Sequence, residues 1–127
     1  MRDVRTPRYP CVPGHELAGI CVEVGATVTR VKVGDHVGVG CMVDACMTCD
    51  ACQRGDEHKC TSGGSTSTYG GPNTHGHAGF GPEAPEHTLG GYTDKFVVHE
   101  RFAVIIPPAC TYGCVPILSR VVGGIDS

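Results

Sequence analysis

Apolar and polar positions alternate in only a few short stretches of this chain, and those stretches predict strands. From Tyr9 the sequence reads Y-P-C-V-P-G-H-E-L-A-G-I-C-V-E-V-G, in which Pro10 and Pro13 prevent a regular helix and Leu17 to Val24 alternate through Ile20, Val22 and Val24. A strand over 17–24 follows, with His15 and Glu16 at its entrance. Gly25 to Gly34 reads as a turn, a short apolar stretch and a second turn at Gly34-Asp35. Val37 to Val43 reads as one further strand, whose Gly38 and Gly40 permit a bend or bulge. Tyr92 to His99 and Phe102 to Ile106, stopped by Pro107-Pro108, read as two more. Between them, Thr61 to Gly91 loses all periodicity and is predicted to be a long solvated connection. Its His75, His77 and His87 are expected to do nothing, apart from adventitious metal binding by T-H-G-H. Ala109 to Ser127 fits no element.

Composition sharpens this picture. Nineteen glycines and nine prolines against three phenylalanines and no tryptophan imply many turns and a thin core within 127 residues, room for one domain. Thirteen acidic and ten basic residues are interspersed, so no basic face is expected for nucleic acid or an anionic membrane. No apolar run approaches a membrane span, and the charged Met-Arg-Asp-Val-Arg-Thr-Pro-Arg lacks the apolar core of a signal peptide. A reducing cytoplasm is therefore the expected location of the nine cysteines.

Candidate chemistry is concentrated between Cys41 and Cys60. Cys46, Cys49, Cys52 and Cys60 have the spacing C-x2-C-x2-C-x7-C, which lets one loop fold four sulfurs around a single ion. Thiolates are soft ligands suited to zinc, and four protein ligands close the site to substrate, so the site reads as structural. The residues Q-R-G-D-E-H-K before Cys60 offer little apolar surface, so metal would supply the folding energy of this lobe. Two alternatives stand beside zinc. Ferredoxin-type iron–sulfur ligation shares the opening C-x2-C-x2-C but continues x3-C-P, unlike the seven-residue interval followed by Thr61 here. Disulfides are the other, though clustered cysteines without an export signal favour metal. Cys41, outside the spacing, is expected to be a buried apolar thiol.

Taken in order, V-P-G-H-E at 12–16, V-G-D-H-V-G-V-G at 33–40, the four-cysteine loop and G-G-Y at 90–92 closely resemble the zinc-containing alcohol dehydrogenases of the medium-chain dehydrogenase/reductase superfamily. The residues around Cys41 and H-T-L-G-G-Y at 87–92 look most like the cinnamyl-alcohol-dehydrogenase-like branch. The resemblance covers about Tyr9 to Pro107. It implies a mainly β fold, a partial GroES-like β-barrel with long loops and a zinc-binding lobe at 41–60. The domain would occupy 9–107, truncated at its amino end, with 108–127 a divergent tail. The implied family activity is NADP(H)-linked interconversion of alcohols and aldehydes, in which a second, catalytic zinc acts as Lewis acid on the alcohol oxygen.

Carried over by position, Cys46, Cys49, Cys52 and Cys60 match the structural zinc ligands, His15 matches the histidine of the catalytic zinc and Glu16 the carboxylate beside it. Other parts of the family pattern have no counterpart. No C-G-x-C-H-S-D-like motif precedes His15, Cys110 and Cys114 have the wrong neighbours to be the remaining cysteine ligand, and no G-x-G-x-x-G follows a strand. The expectation is a fragment, without a Rossmann domain, that keeps the structural zinc and is inactive by itself. The alternative is a small zinc-binding interaction module without catalysis. Strand edges left open are expected to invite self-association.

Overall fold

A computed structural model describes residues 8–76, 86–110 and 118–123, the last as a backbone strand. The fold is mainly β. Strands β1 (Leu17–Val24), β2 (His36–Val39), β5 (Lys95–Val98), β6 (Ala103–Ile105) and β7 (Leu118–Gly123) form one sheet in the order β5-β7-β1-β2-β6. Strands β3 (Met42–Asp44) and β4 (Thr66–Ser67) form a second, antiparallel pair. The only helix longer than a 3₁₀ turn among the described residues is α1 (Asp50–Gln53), so none is long and apolar enough to cross a membrane.

β1 is the spine of the larger sheet. It runs antiparallel to β2, with Leu17 opposite Val39 and Ile20 opposite His36, and parallel to β7 on its other edge. Its first half is buried and its second half faces solvent at Val22 and Glu23, although Cys21 still belongs to the core and Val24 packs against it. β2 in turn pairs with β6, Val37 opposite Ile105 and Val39 opposite Ala103. The core beneath is thin, as the composition implied: Leu17, Val37, Val39, Phe96, Val98 and Phe102 dominate it, and Cys52 and Cys60 of the cysteine loop belong to the same cluster. β7 falls in the stretch the pattern left unassigned, and it separates β5 from β1 by running parallel to both.

Several boundaries differ from the pattern. The expected strand Val37 to Val43 is two strands in two sheets. The carbonyls of Gly40 and Cys41 turn away to accept from the Thr68 hydroxyl and the Thr68 amide, which redirects the chain from the large sheet to the small one. β5 starts at Lys95 rather than Tyr92, because the Tyr92 amide is committed to the Pro13 carbonyl (3.1 Å) and that of Thr93 to Gly91 (2.8 Å). Phe102 closes a 3₁₀ turn, Glu100–Phe102, before β6 begins.

The connection Thr61 to Gly91 is also less solvated than its composition suggested. Gly70 donates to Thr88 (2.8 Å), Thr88 to Gly71 (2.8 Å) and Asn73 to Glu86 (3.0 Å), so its two arms pair with each other around a Pro72–His87 bridge. Thr66, Thr68, His87 and Thr88 are buried within it. The Thr88 hydroxyl donates to the Ser67 carbonyl (2.7 Å) and accepts from the Gly71 amide (3.1 Å), which satisfies a buried polar group in both its roles.

Glu100 fastens the turn at 28–30 to the sheet. Its Oε2 accepts from the amides of Thr29 (2.9 Å) and Arg30 (2.8 Å). Burial alone would raise this carboxyl, but the amides of Arg30 and Thr29 and the charges of His99 and Arg30 outweigh it, so its pKa lies below the ordinary value. A carboxyl whose folded pKa is depressed adds stability that is complete above its unfolded value, about 4.3 for glutamate, and that is lost as the pH falls through the folded value. The stability difference between the protein and its Glu100→Gln variant, followed by urea unfolding from neutral pH into the acid range, is therefore expected to shrink with acidification. A difference that stays constant with pH would show that the charge of Glu100 contributes nothing.

Candidate metal centre and the histidine beside it

The cysteine loop is built by short-range geometry. β3 delivers the chain into it, with the wholly buried Asp44 accepting from the Ala45 amide (2.8 Å). Met47 then takes a left-handed conformation, φ 62°, and the chain reverses so that the Cys49 amide points at the Cys46 sulfur (3.3 Å). Helix α1 follows with Cys49 at its N-cap position and Cys52 inside its single turn; Gln53 donates from its backbone to Cys49 (2.9 Å) and from its side chain to Thr48 (3.0 Å). Gly55, at φ 85°, ends the helix, and a 3₁₀ turn, Glu57–Lys59, brings Cys60 back under it.

The result is that the sulfurs of Cys46, Cys49, Cys52 and Cys60 all lie within 4.8 Å of one another. Cys46 and Cys52 are 3.9 Å apart. A tetrahedral ion with bonds of roughly 2.3 Å to sulfur spaces its ligands by roughly 3.8 Å, so these side chains fit one zinc-sized ion. A multi-iron cluster holds its ligand sulfurs farther apart, because several metal atoms stand between them. The eight described cysteines are all free thiols. Among the described residues this is the one group of three or more such side chains close enough to share an ion.

Electrostatics within the cluster is graded. The amides of Cys49 and Thr48 favour the thiolate of Cys46 and bring its pKa down to about 5. Those of Cys52 and Thr61 bring Cys49 down to about 7. Cys52, fully buried, is pushed up to about 12 by desolvation and then by the neighbouring Cys49. Backbone amides thus favour the thiolate at Cys46 and, less strongly, at Cys49, whereas burial holds the proton on Cys52, which a divalent cation would have to displace.

His15 and Glu16 stand at the entrance of β1, as the pattern predicted, and both are exposed. The His15 ring lies against the Tyr69 ring, centroids 6.1 Å apart and planes inclined by 31°. The backbone around them is held by a contact between two of the sequence motifs. Gly90 donates to Val12 (2.6 Å), Gly91 to Gly14 (3.0 Å) and Tyr92 to Pro13 (3.1 Å), so G-G-Y is strapped across V-P-G-H. That approach leaves no room for side chains, since a Cβ on Gly91 would lie 2.4 Å from Leu17 Cγ and one on Gly90 2.5 Å from the Gly14 oxygen. No third metal-ligating side chain joins His15 and Glu16 among the described residues.

Other sequence candidates fall elsewhere. Cys41 is exposed, not buried, because the strand break at Gly40 turns it out of the core. Cys110 is exposed after Pro107, and Cys114 and His77 lie outside the described residues. His87 is no idle loop histidine: it is buried, and its Nε2 is 2.8 Å from the Pro10 carbonyl. His75 Nε2 is similarly 2.8 Å from the Gly64 carbonyl. Both rings pin backbone. No residue pattern announces these ties, nor that of Arg101, whose guanidinium reaches the cysteine loop from 44 residues away.

Comparison with known proteins places this arrangement. The family model described as the alcohol dehydrogenase GroES-like domain matches residues 1–108. Similar relatives include a probable cinnamyl alcohol dehydrogenase of Oryza sativa subsp. japonica and an NADP-dependent alcohol dehydrogenase of Mycolicibacterium smegmatis. Each is 48% identical over 101 residues, covering 80% of this chain and 25% and 26% of the relative. Among solved structures, a cinnamyl alcohol dehydrogenase from Sorghum bicolor matches with a TM-score of 0.60 at 35% identity, over 80% of this chain and 26% of that one. The CAD of Helicobacter pylori complexed with NADP(H) matches with a TM-score of 0.55 at 34% identity, over 80% and 24%. The chain spans about a quarter of the length of the relatives it matches.

Proposed function

The chain belongs to the alcohol dehydrogenase GroES-like domain family, and from that premise we propose that it is the zinc-lobe portion of an NADP(H)-linked enzyme interconverting alcohols and aldehydes. In this reading Cys46, Cys49, Cys52 and Cys60 hold a structural zinc, residues 9–107 form the GroES-like domain and 108–127 a divergent tail. The observation that carries it is the convergence of the four sulfurs within 4.8 Å. The names of the relatives and of the structural neighbours support the choice of alcohol or aldehyde as substrate and of NADP(H) as cofactor.

His15 and Glu16 are the residues we assign to the catalytic centre. A zinc bound there would supply Lewis acidity toward the substrate oxygen. His15 would contribute a neutral imidazole, oriented by the Tyr69 ring on one side and by the backbone strap of 90–92 behind it. Glu16 adds negative charge beside that ring. These two groups are too few to hold a zinc firmly, since catalytic sites use three protein ligands. The 127 residues are accordingly expected to be inactive by themselves.

Elemental analysis of the metal-washed protein, with thiol titration in parallel, tests the reading. About one zinc per chain with the loop thiols protected is expected, together with no oxidation of NADPH in the presence of an aldehyde. A zinc-free protein with fully reactive thiols would refute the structural site; turnover would refute the inactivity.

A further inference from the structure

Three consecutive side chains of the 3₁₀ turn Glu100–Phe102 reach three separate parts of the molecule. Glu100 holds the amides of Thr29 and Arg30, and Phe102 is buried in the core. Arg101 points the other way, and its Nη1 donates both to the Cys52 carbonyl (3.0 Å) and to Glu57 Oε1 (3.0 Å). One acceptor belongs to a cysteine of the metal centre and the other to the 3₁₀ turn that delivers Cys60. The turn then runs straight into β6, the strand at one end of the large sheet.

This ion pair differs from the others described. Lys32–Asp35 and Lys59–Asp56 join residues three apart through lysines that are 83% and 66% exposed, whereas Arg101 and Glu57 are 34% and 14% exposed and 44 residues apart. An open cleft of about 440 Å³, lined among others by Arg30, Arg54 and Glu100, borders the pair and admits water. Its Coulomb energy is therefore modest, and what it supplies is geometry: the two N–H groups of one guanidinium nitrogen, Nη1, reach two acceptors whose spacing depends on how the cysteine loop is folded.

We propose that Arg101 is a positioning residue that couples the metal state of the four-cysteine lobe to the large sheet. The inference rests on the zinc reading above. Metal fixes the four sulfurs, and with them the Cys52 carbonyl and Glu57, in the spacing that lets Arg101 Nη1 donate to both. By linkage, whatever the bound metal adds to the grip of Arg101, Arg101 returns as metal affinity by the same factor. The metal state then reaches β6 through the turn, and the 28–30 segment through the adjacent Glu100.

The test measures zinc affinity by competition with a chromophoric chelator, and amide hydrogen exchange at Thr29, Arg30 and Ala103 to Ile105 with and without zinc. In the unaltered protein, zinc is expected to slow exchange at those amides. Arg101→Gln is expected to weaken zinc binding about tenfold, the lower end for groups supporting a metal ligand, and to abolish the zinc-dependent protection while the metal still binds. Glu57→Gln keeps the bond to Cys52 and is expected to lose about threefold, an intermediate response; it serves if Arg101→Gln does not fold. Unchanged affinity and unchanged zinc-dependent protection in whichever variant folds would overturn the coupling alone. Failure of the unaltered protein to take up zinc would overturn the proposed function and the coupling with it.

Discussion

Stripping metal from this protein, or replacing Cys52 with serine, is expected to unfold the cysteine loop and to strip the domain of its cooperative melt. Helix α1 is four residues long, far below the length at which a helix stands without tertiary support. Apart from its cysteines the loop buries little more than Ala45 and Ala51. A structural zinc contributes on the order of 10–16 kcal/mol in small peptides, against a net stability of about 5–15 kcal/mol for a whole domain. Cys52 and Cys60 also belong to the same core cluster as Val37, Phe96 and Phe102, so the damage extends into the sheet. Circular dichroism melts with and without a strong chelator, and of Cys52→Ser, measure this. Cys41→Ser is the control: that thiol is exposed and outside the cluster, and its replacement is expected to stay within about 0.5 kcal/mol. A melt indifferent to the chelator would mean that the loop folds on its own packing.

Gly90→Ala and Gly91→Ala carry the second large effect. The methyl at 91 would meet three carbons of Leu17 at 2.4, 2.7 and 2.9 Å, and Leu17 is buried in the core at 3% exposure. The methyl at 90 meets backbone, the Gly14 oxygen at 2.5 Å and the Pro13 carbonyl at 2.6 Å, which cannot yield without opening the strap. Each substitution is expected to cost about 3 kcal/mol or more. Gly40→Ala, with nothing within 4 Å of its Cβ, is expected to be nearly neutral. The functional consequence is local: the strap holds residues 12–14, and losing it frees the His15 ring from Tyr69. Loss of the Tyr69 ring-current shift on the His15 protons, at a temperature where the variant is still folded, would register this. An unaltered shift would mean that the strap does not position His15.

Alternation was enough to place β1 at Leu17–Val24, because a strand whose first half is buried must show its period locally. It was not enough at 37–43, where both halves are apolar and the break depends on Thr68 taking the carbonyls of Gly40 and Cys41 from 28 residues away. The tail hid β7 because Leu118 to Gly123, reading L-S-R-V-V-G, neither alternates nor forms a continuous apolar run. The connection at 61–91 misled in the opposite direction. Threonine and histidine count as solvent-seeking in composition, yet Thr88 and His87 are buried because each finds backbone partners there.

By itself, then, the sequence determined which four cysteines come together, since four thiols within fifteen residues have few ways to avoid one another and a short loop closes at small entropic cost. It also determined the spine strand and the order of the motifs. The tertiary structure alone decided that G-G-Y lies across V-P-G-H, that Cys41 faces solvent, and that Arg101 grips the cysteine loop from the turn before β6. Those contacts join segments tens of residues apart, and their partners are backbone carbonyls and amides, which every residue carries and no residue type announces.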